Sequence, residues 1–487
     1  MVVRMRKVDA KGSLTMQQPA NGPASDGSQV VDLVIRHGVV ITMDAQRRIF
    51  SNGAVAVVGN RIAAVGRCQD IERAFRAQQV IDVRGGVVQP GFIDCHVHLS
   101  QHLGRGTIPD FWPEEREHDQ WKPYWTNLTE DDAYCSAMLA CLEMVRNGTT
   151  TFCECGGRFS AELNASVARR VGLRGMVAER CRDVPQYEDI PTGDTDDCLA
   201  QIERQLQALP RLPERRVWAC VGLSGMGSCT DRLLVGAKKL ADRHGVIMDM
   251  HQSFGSVDTA RYWRHAGNKP ATVHFADLGI LGANLKLVHM IHIEDSEIPL
   301  LTRSGTSVIH CPAASTRVGM GVSRVGRFPE LLAAGVNVGL GSDSGNYSDY
   351  FDIGRQAYLA ATIHREARGL MPTVSAEQAL EMATINGARA LGLFDEIGSL
   401  EAGKRADIVI HDYCRPEWRP GQSVLNSLIY SAQSVAVDTV IIDGEIVLQD
   451  GRFRDLNEED EYRRIDVAAR ALFGRMGFKI QNRWPVL

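Results

Sequence analysis

No run of eighteen consecutive apolar residues occurs in this 487-residue chain, so no segment is built to cross a bilayer as a helix. The N-terminus also lacks the short apolar stretch and small-residue cleavage site of a secretory signal, and a cytoplasmic location is expected. An excess of one charge is missing too: 54 Lys and Arg face 59 Asp and Glu, a formal net charge of −5. Both signs are spread along the chain, leaving no basic stripe for nucleic acid and no polybasic segment for a membrane surface; the expected partner is a small-molecule substrate. Two catalytic signatures are absent as well. No GxSxG sets a serine nucleophile on a strained elbow, and no GxGxxG follows a strand to cradle a dinucleotide. Twelve cysteines are present, but most lie in apolar strand-like or helical stretches, as reduced core cysteines do, so free thiols are expected. Cys153 and Cys155, two apart and without a second pair, do not make a structural zinc pattern.

What is present divides the chain by texture. Residues 1–30 are rich in Gly, Ser, Pro, Gln and Asn and are expected to be a disordered leader. Residues 31–88 read as hairpin strands (DLVIRHGVVITMD, GAVAVVGNRIAAVG), and the same texture returns over 397–455 in GSLEAGKRADIVIHDY and VDTVIIDGEIVLQDG. One small β-sandwich domain built from both ends of the chain is the economical reading, followed by a helical tail over 456–487. The charged run DLNEEDEYRRID near the start of that tail reads as an exposed helical face.

Residues 89–396 alternate strand and helix. Eight strands are expected: VVQPGFIDCH, TTTFCE (149–154), GLRGMVAE (172–179), VWACVGL (217–223), VIMDMH (246–251), LKLVHM (285–290), TSVIHC (306–311) and VNVGLGSD (336–343). The clearest helix follows Thr129, where Tyr134, Met138, Leu142 and Val145 recur at helical spacing, Thr129 and Asp132 can form a capping box, and Gly148 can end it. This pattern fits a (β/α)8 TIM-like barrel, although a doubly wound open sheet shares it.

Chemistry is concentrated at the strand ends. In HVH, His96 and His98 are two apart and therefore share one side of an extended chain. His251 ends the fifth expected strand, His289 the sixth and Asp343 the eighth, so in a barrel they converge with the first two on one rim. Neutral imidazoles and a carboxylate suit one borderline divalent ion, zinc first, with iron, cobalt or manganese as alternatives. Asp343 can take a proton from water and pass it to a leaving group, while His289 can donate to an oxygen gaining charge. The fourth strand ends in Gly222, Leu223 and Ser224, with no lysine or glutamate to bridge a second ion.

PGFIDCHVHL, LKLVHMIHIEDSEI, VIHCPAAS, LLAAGVNVGLGSDS and GSLEAGKRADIVIHD resemble, in order, the signatures of the amidohydrolase superfamily, and more narrowly its branch of chlorotriazine hydrolases and purine aminohydrolases. The resemblance implies His96, His98, His251 and Asp343 as metal ligands, Asp343 and His289 as catalytic residues, Gln101 at a substrate-facing position, and a homodimer or homotetramer. It also exposes departures. Many deaminases of the branch carry a glutamate three residues after the strand-five histidine, where it protonates a ring nitrogen; here Phe254 stands there and can neither donate nor accept a proton. Ala314 and Ser315 replace the usual Ser and Asn after HCP. These changes favour hydrolysis of an amide, urea or (thio)carbamate-type carbonyl, in the manner of molinate and phenylurea hydrolases. The alternative is an aminohydrolase, deaminase or dechlorinase, acting on a purine, pyrimidine or triazine ring.

Other candidates to touch substrate are Trp112, in a segment with Trp121 and Trp125 that could act as a lid or a dimer contact, His310 at the end of strand seven, which reads equally as a buried structural histidine, and Arg182 together with Arg180, which could orient a substrate oxygen or pair with the acidic residues of QYEDI. His102, His244, His265, His274 and His292 match no ligand position and read as structural or solvated.

Overall fold

The two halves of VVQPGFIDCHVH enter different sheets. Val87–Pro90 runs antiparallel to Ile408–His411, and immediately after Gly91 the strand Phe92–His98 begins a parallel array. Gly91 is required by close approach: a Cβ there would collide with the Thr150 side chain. The structure, a computed structural model, describes residues 16–17, 28–107, 121–185, 192–225, 227–371, 373–478 and 484, without the side chains of 258, 261 and 265.

A ten-stranded mixed sheet joins both ends of the chain. Gln29–Ile41, Ile49–Val58, Arg61–Arg67, Phe75–Asp82 and Val87–Pro90 come from the first part; Ile408–His411, Val437–Ile442, Glu445–Gln449 and Arg452–Phe453 come from the last. Alternation puts every second side chain on one face, and Leu33, Ile35, Val55, Val57 and Val88 from the first part meet Ile408, Ile410 and Ile441 from the last in one apolar cluster. Burying each such side chain contributes about 1.5–3 kcal/mol. The expected leader needs one correction: Met16–Gln17 pairs antiparallel with Val80–Ile81 as the tenth strand. Phe75–Asp82 otherwise presents an unpaired edge, and an edge accepts any extended segment.

The central strands are numbered in chain order: β1 Phe92–His98, β2 Thr149–Glu154, β3 Arg174–Val177, β4 Arg180–Cys181, β5 Val217–Ala219, β6 Val221–Leu223, β7 Met248–Gln252, β8 Leu285–His289, β9 Ser307–His310, β10 Val338–Leu340 and β11 Asp343–Ser344. All pair in parallel, in two sheets ordered β5-β3-β2-β1-β11 and β4-β6-β7-β8-β9-β10. One residue separates β5 from β6, and two separate β3 from β4 and β10 from β11, so the chain passes directly from one sheet to the other at all three places.

Helices cover these strands. The helix Glu130–Arg146 starts with the expected capping box of Thr129 and Asp132, and buries Met138, Leu142 and Val145. The tail forms the helix Glu458–Met476, which buries Ile465, Ala468 and Leu472. Part of its charged run faces inward, not to solvent as expected: Glu458 pairs with Arg146 and the buried Glu461 with Arg170, docking the helix on its neighbours. Between the two sheet systems lies a buried ion cluster: Arg174 of β3 makes two 3.0 Å bonds to Asp407 and one of 3.1 Å to Asp443.

All twelve cysteines are free thiols; Cys414 is exposed and the others are buried. No helix among the described residues is long and apolar enough to cross a membrane.

Candidate metal centre

The site is built at the C-terminal ends of the parallel strands. His96 and His98 lie at the end of β1, His251 near the end of β7 and His289 at the end of β8, while Asp343 opens β11 in register with Val97. Two of these positions carry unusual backbone: φ is +76° at His289 and +66° at Asp343. The left-handed region costs a side-chain-bearing residue about 1–3 kcal/mol and persists only where the surroundings hold it. Here it turns both side chains toward the strand ends. Gly341 permits the turn before Asp343, since a Cβ there would lie 2.9 Å from the His96 Cβ.

The donor atoms converge. His98 Nε2 is 3.2 Å from His251 Nε2 and 3.4 Å from an Asp343 carboxylate oxygen, and His96 Nε2 is 3.9 Å from that oxygen. The His96 ring stands edge-on to those of His98 and His251 at 4.9 and 4.8 Å. His289 stacks beside His251 at 5.5 Å. Donors arranged tetrahedrally about 2.0–2.1 Å from one ion would sit about 3.4 Å apart, so this spacing is one that a single cation can span. His96 Nε2 and His289 Nδ1 are buried with no hydrogen-bond partner among the described residues, which a buried polar atom avoids unless something else satisfies it. The residues present therefore fit a divalent ion.

The first two imidazoles are held from behind. His96 Nδ1 is 3.3 Å from Asp249 Oδ2, and that oxygen is 2.9 Å from Lys286 Nζ. Lys286 also donates to the Cys95 carbonyl at 2.5 Å. His98 Nδ1 lies 3.0 Å from Cys155 Sγ and 2.7 Å from Arg180 Nη2, and Arg180 donates to the same sulfur at 2.9 Å. Glu154 accepts from the Leu99 backbone N–H at 2.5 Å, fixing the turn that follows β1.

Electrostatics keep His98, His251 and His289 neutral. Burial, reinforced by the Arg180 charge, lowers His98 to about 3; burial lowers His289 to about 4 and carries His251 well below its ordinary value. Burial alone would raise Asp343, but the His98 hydrogen bond and the surrounding imidazoles bring it down to about 2. A lone pair on each ring and a charged carboxylate are the forms that ligate metals.

Of the other expected site residues, Gln101 is buried in the short helical turn Leu99–Gly104 directly behind His98. Phe254 sets its ring against His289 at 5.8 Å. His310 stacks on Phe328 at 3.7 Å, and neither of its ring nitrogens has a hydrogen-bond partner among the described residues. Of the two arginines, Arg180 touches His98, whereas Arg182 lies beyond the end of β4 and its carbonyl accepts from Cys198 Sγ. Trp112 lies outside the described residues, whereas Trp121 packs on Tyr347, Tyr124 and Trp125. His102, His244 and His274 are each paired with a carboxylate, and His292 with the Met320 carbonyl; the His265 side chain is not among those described. Sequence reasoning missed Asp249 and Lys286 altogether and set Cys155 aside as an ordinary core thiol.

Comparison with known proteins places this geometry. The profile of the Amidohydrolase family matches residues 87–447. A curated 5-methylthioadenosine/S-adenosylhomocysteine deaminase of Syntrophobacter fumaroxidans is 33% identical over 447 residues, covering 92% of this chain and 99% of its own. A zinc-bound adenosine deaminase from Xanthomonas campestris superposes with a TM-score of 0.84 at 26% identity, over 92% of this chain and 99% of its own. Zinc-complexed atrazine chlorohydrolase from Arthrobacter aurescens TC1 has the same fold, with a TM-score of 0.81 at 22% identity over 90% of this chain and all of its own. The alternation of strand and helix, the strand-end histidines and the aspartate of β11 thus have a common explanation: the chain belongs to the amidohydrolase family and is a hydrolase acting on carbon–nitrogen bonds.

Proposed function

We propose that this protein is a mononuclear metal-dependent aminohydrolase that releases ammonia from an amino-substituted purine-type ring, with His96, His98, His251 and Asp343 holding the ion. The two parallel sheets are read as arcs of one eight-stranded barrel, joined where β5 runs into β6 and β10 into β11, with the mixed sheet as a sandwich beside it. The observation that carries the metal site is the approach of His98 Nε2 to both His251 Nε2 and Asp343, at 3.2 and 3.4 Å. Zinc fits the donor set, and a bound divalent ion of this kind lowers the pKa of a coordinated water.

The chain's own residues supply the rest. Asp343, held as a carboxylate, accepts a proton from the attacking water and returns it to the leaving nitrogen. His289, neutral and beside the donors, is placed to hydrogen-bond the substrate atom that gains charge. Phe254 and the face of His289 make one apolar wall against which a flat ring can lie. The ring reading takes precedence over the amide and urea preference, because the relatives at 33% and 26% identity, each covering 92% of this chain, are named as deaminases of adenine-containing compounds.

A second reading keeps its own support. Phe254 provides no acid to protonate a ring nitrogen, and carbonyl hydrolysis of an amide, urea or carbamate requires none. The test is product analysis with zinc-loaded protein on adenosine, 5′-methylthioadenosine, S-adenosylhomocysteine, an anilide and a phenylurea. Ammonia with conversion of the purine chromophore supports the first reading; amine release with inert purines supports the second. Loss of neither activity after metal removal would overturn both.

A further inference from the structure

Asp249 and Lys286 are each fully buried, with side-chain exposures of 0%. They are register partners on the neighbouring parallel strands β7 and β8. Asp249 is two residues before His251 and so shares its side of β7. Burying two opposite charges costs several kcal/mol per ion after relaxation, and an apolar pair of similar size is often as stable. Stability alone therefore gives little reason for a charged pair at this depth.

Geometry supplies a reason. Asp249 Oδ2 is shared by two donors, Lys286 Nζ at 2.9 Å and His96 Nδ1 at 3.3 Å. Lys286 is held in turn by the Cys95 carbonyl at 2.5 Å, on the strand that carries His96. The chain Cys95 carbonyl, Lys286, Asp249, His96 thus ties together the three strands β1, β7 and β8, from which four of the five convergent residues come. With Nδ1–H directed at Asp249, the lone pair of His96 is left on Nε2, the atom that has no other partner. A carboxylate behind a ligating imidazole fixes the ring's tautomer and orientation and makes it a stronger ligand.

We propose that Asp249 and Lys286 are positioning residues that aim His96 Nε2 at the ion and thereby set metal affinity. This rests on the metal reading above. The test uses the purified full chain, with zinc affinity measured by competition with a chromophoric chelator for wild type, Asp249→Asn and the double variant Asp249→Asn/Lys286→Met. The double variant leaves no unpaired buried charge, so it keeps the question open should the single variant fold poorly. Both are expected to bind zinc about 10–100-fold more weakly, and the visible absorption of the cobalt-loaded protein should change in shape as His96 loses its fixed orientation. Nitrogen-15 imidazole spectra of zinc-loaded wild type, which need no variant, should show His96 protonated at Nδ1 and ligated through Nε2. Unchanged zinc affinity in a folded variant overturns the proposal, as does a His96 ligated through Nδ1. Absence of tight zinc binding by wild type would instead overturn the metal reading itself.

Discussion

Replacing Arg174 with Met should cost this protein about 3–5 kcal/mol, although the residue opens β3 and the candidate ligands lie at the C-terminal strand ends. The guanidinium is 2% exposed and makes three bonds, two of 3.0 Å to Asp407 and one of 3.1 Å to Asp443. The consequences for the two carboxylates differ. Asp443 keeps Arg405 at 3.0 Å and Arg216 at 3.4 Å. Asp407 keeps only the backbone N–H of Asp443, at 2.8 Å, among the bonds described. Most of the loss therefore comes from a buried Asp407 charge left without a counter-ion, which is the expensive way to break a buried pair. The double variant Arg174→Met/Asp407→Asn should recover most of it, because replacing a whole buried pair is far closer to neutral than removing one partner. Urea unfolding followed by tryptophan fluorescence reads this directly, since Trp218 on β5 pairs in register with Met176 of β3. A single-variant loss below about 1 kcal/mol, the range of an exposed ion pair, would refute the argument, as would a double variant no more stable than the single.

Three further outcomes are expected. Asp343→Asn should lower kcat for the preferred substrate by about 10²–10⁴-fold, the range for removing a positioned proton acceptor, and a loss under tenfold with zinc retained would place the base elsewhere. Phe254→Glu should raise ammonia release from aminopurines and leave any amide or urea hydrolysis no faster; the opposite ordering would show that the wall, and not a missing acid, selects the substrate. Burial raises Asp352 to about 6 despite hydrogen bonds from Ser434 and the Arg355 backbone. The folded protein therefore holds a proton that the unfolded chain releases above its ordinary value of 3.8, and the stability this carboxyl contributes is full below that value and lost as pH rises through 6. Asp352→Asn, which can still cap the helix Ile353–Arg368, should make the melting temperature fall less between pH 4 and pH 7; parallel profiles would count against it.

The candidate ligands were legible because each sits at the end of an apolar run, where period and punctuation both speak. HVH fixes two side chains on one side by alternation alone, and the runs ending in His251, His289 and Asp343 needed no partner to be recognised. What lies behind the ligands was not legible, because it depends on register. His251 pairs with Val288 and not with His289, so aligning the two strands by their terminal histidines places Asp249 opposite the wrong residue and hides the ion pair with Lys286. Arg180 and Arg182 could not be separated for a related reason: the strand stops at Cys181, and past that point alternation no longer says where a side chain points. Cys155 reads as a core thiol in any apolar run; only the placement of β2 beside β1 reveals that its sulfur faces His98.

The mixed sheet has a consequence for biosynthesis. Val87–Pro90 pairs on one side with Val39 and Val40, already synthesised, but finds its other neighbour, Ile408–His411, only after everything between them has left the ribosome. Loop closure over so long a span is entropically costly until the intervening chain is compact. The amino-terminal strands can pair with one another at once, but the edge and apolar face that Ile408, Ile410 and Ile441 cover stay open while the central unit forms, and nascent chains halted before Ile408 should be strong clients for chaperones.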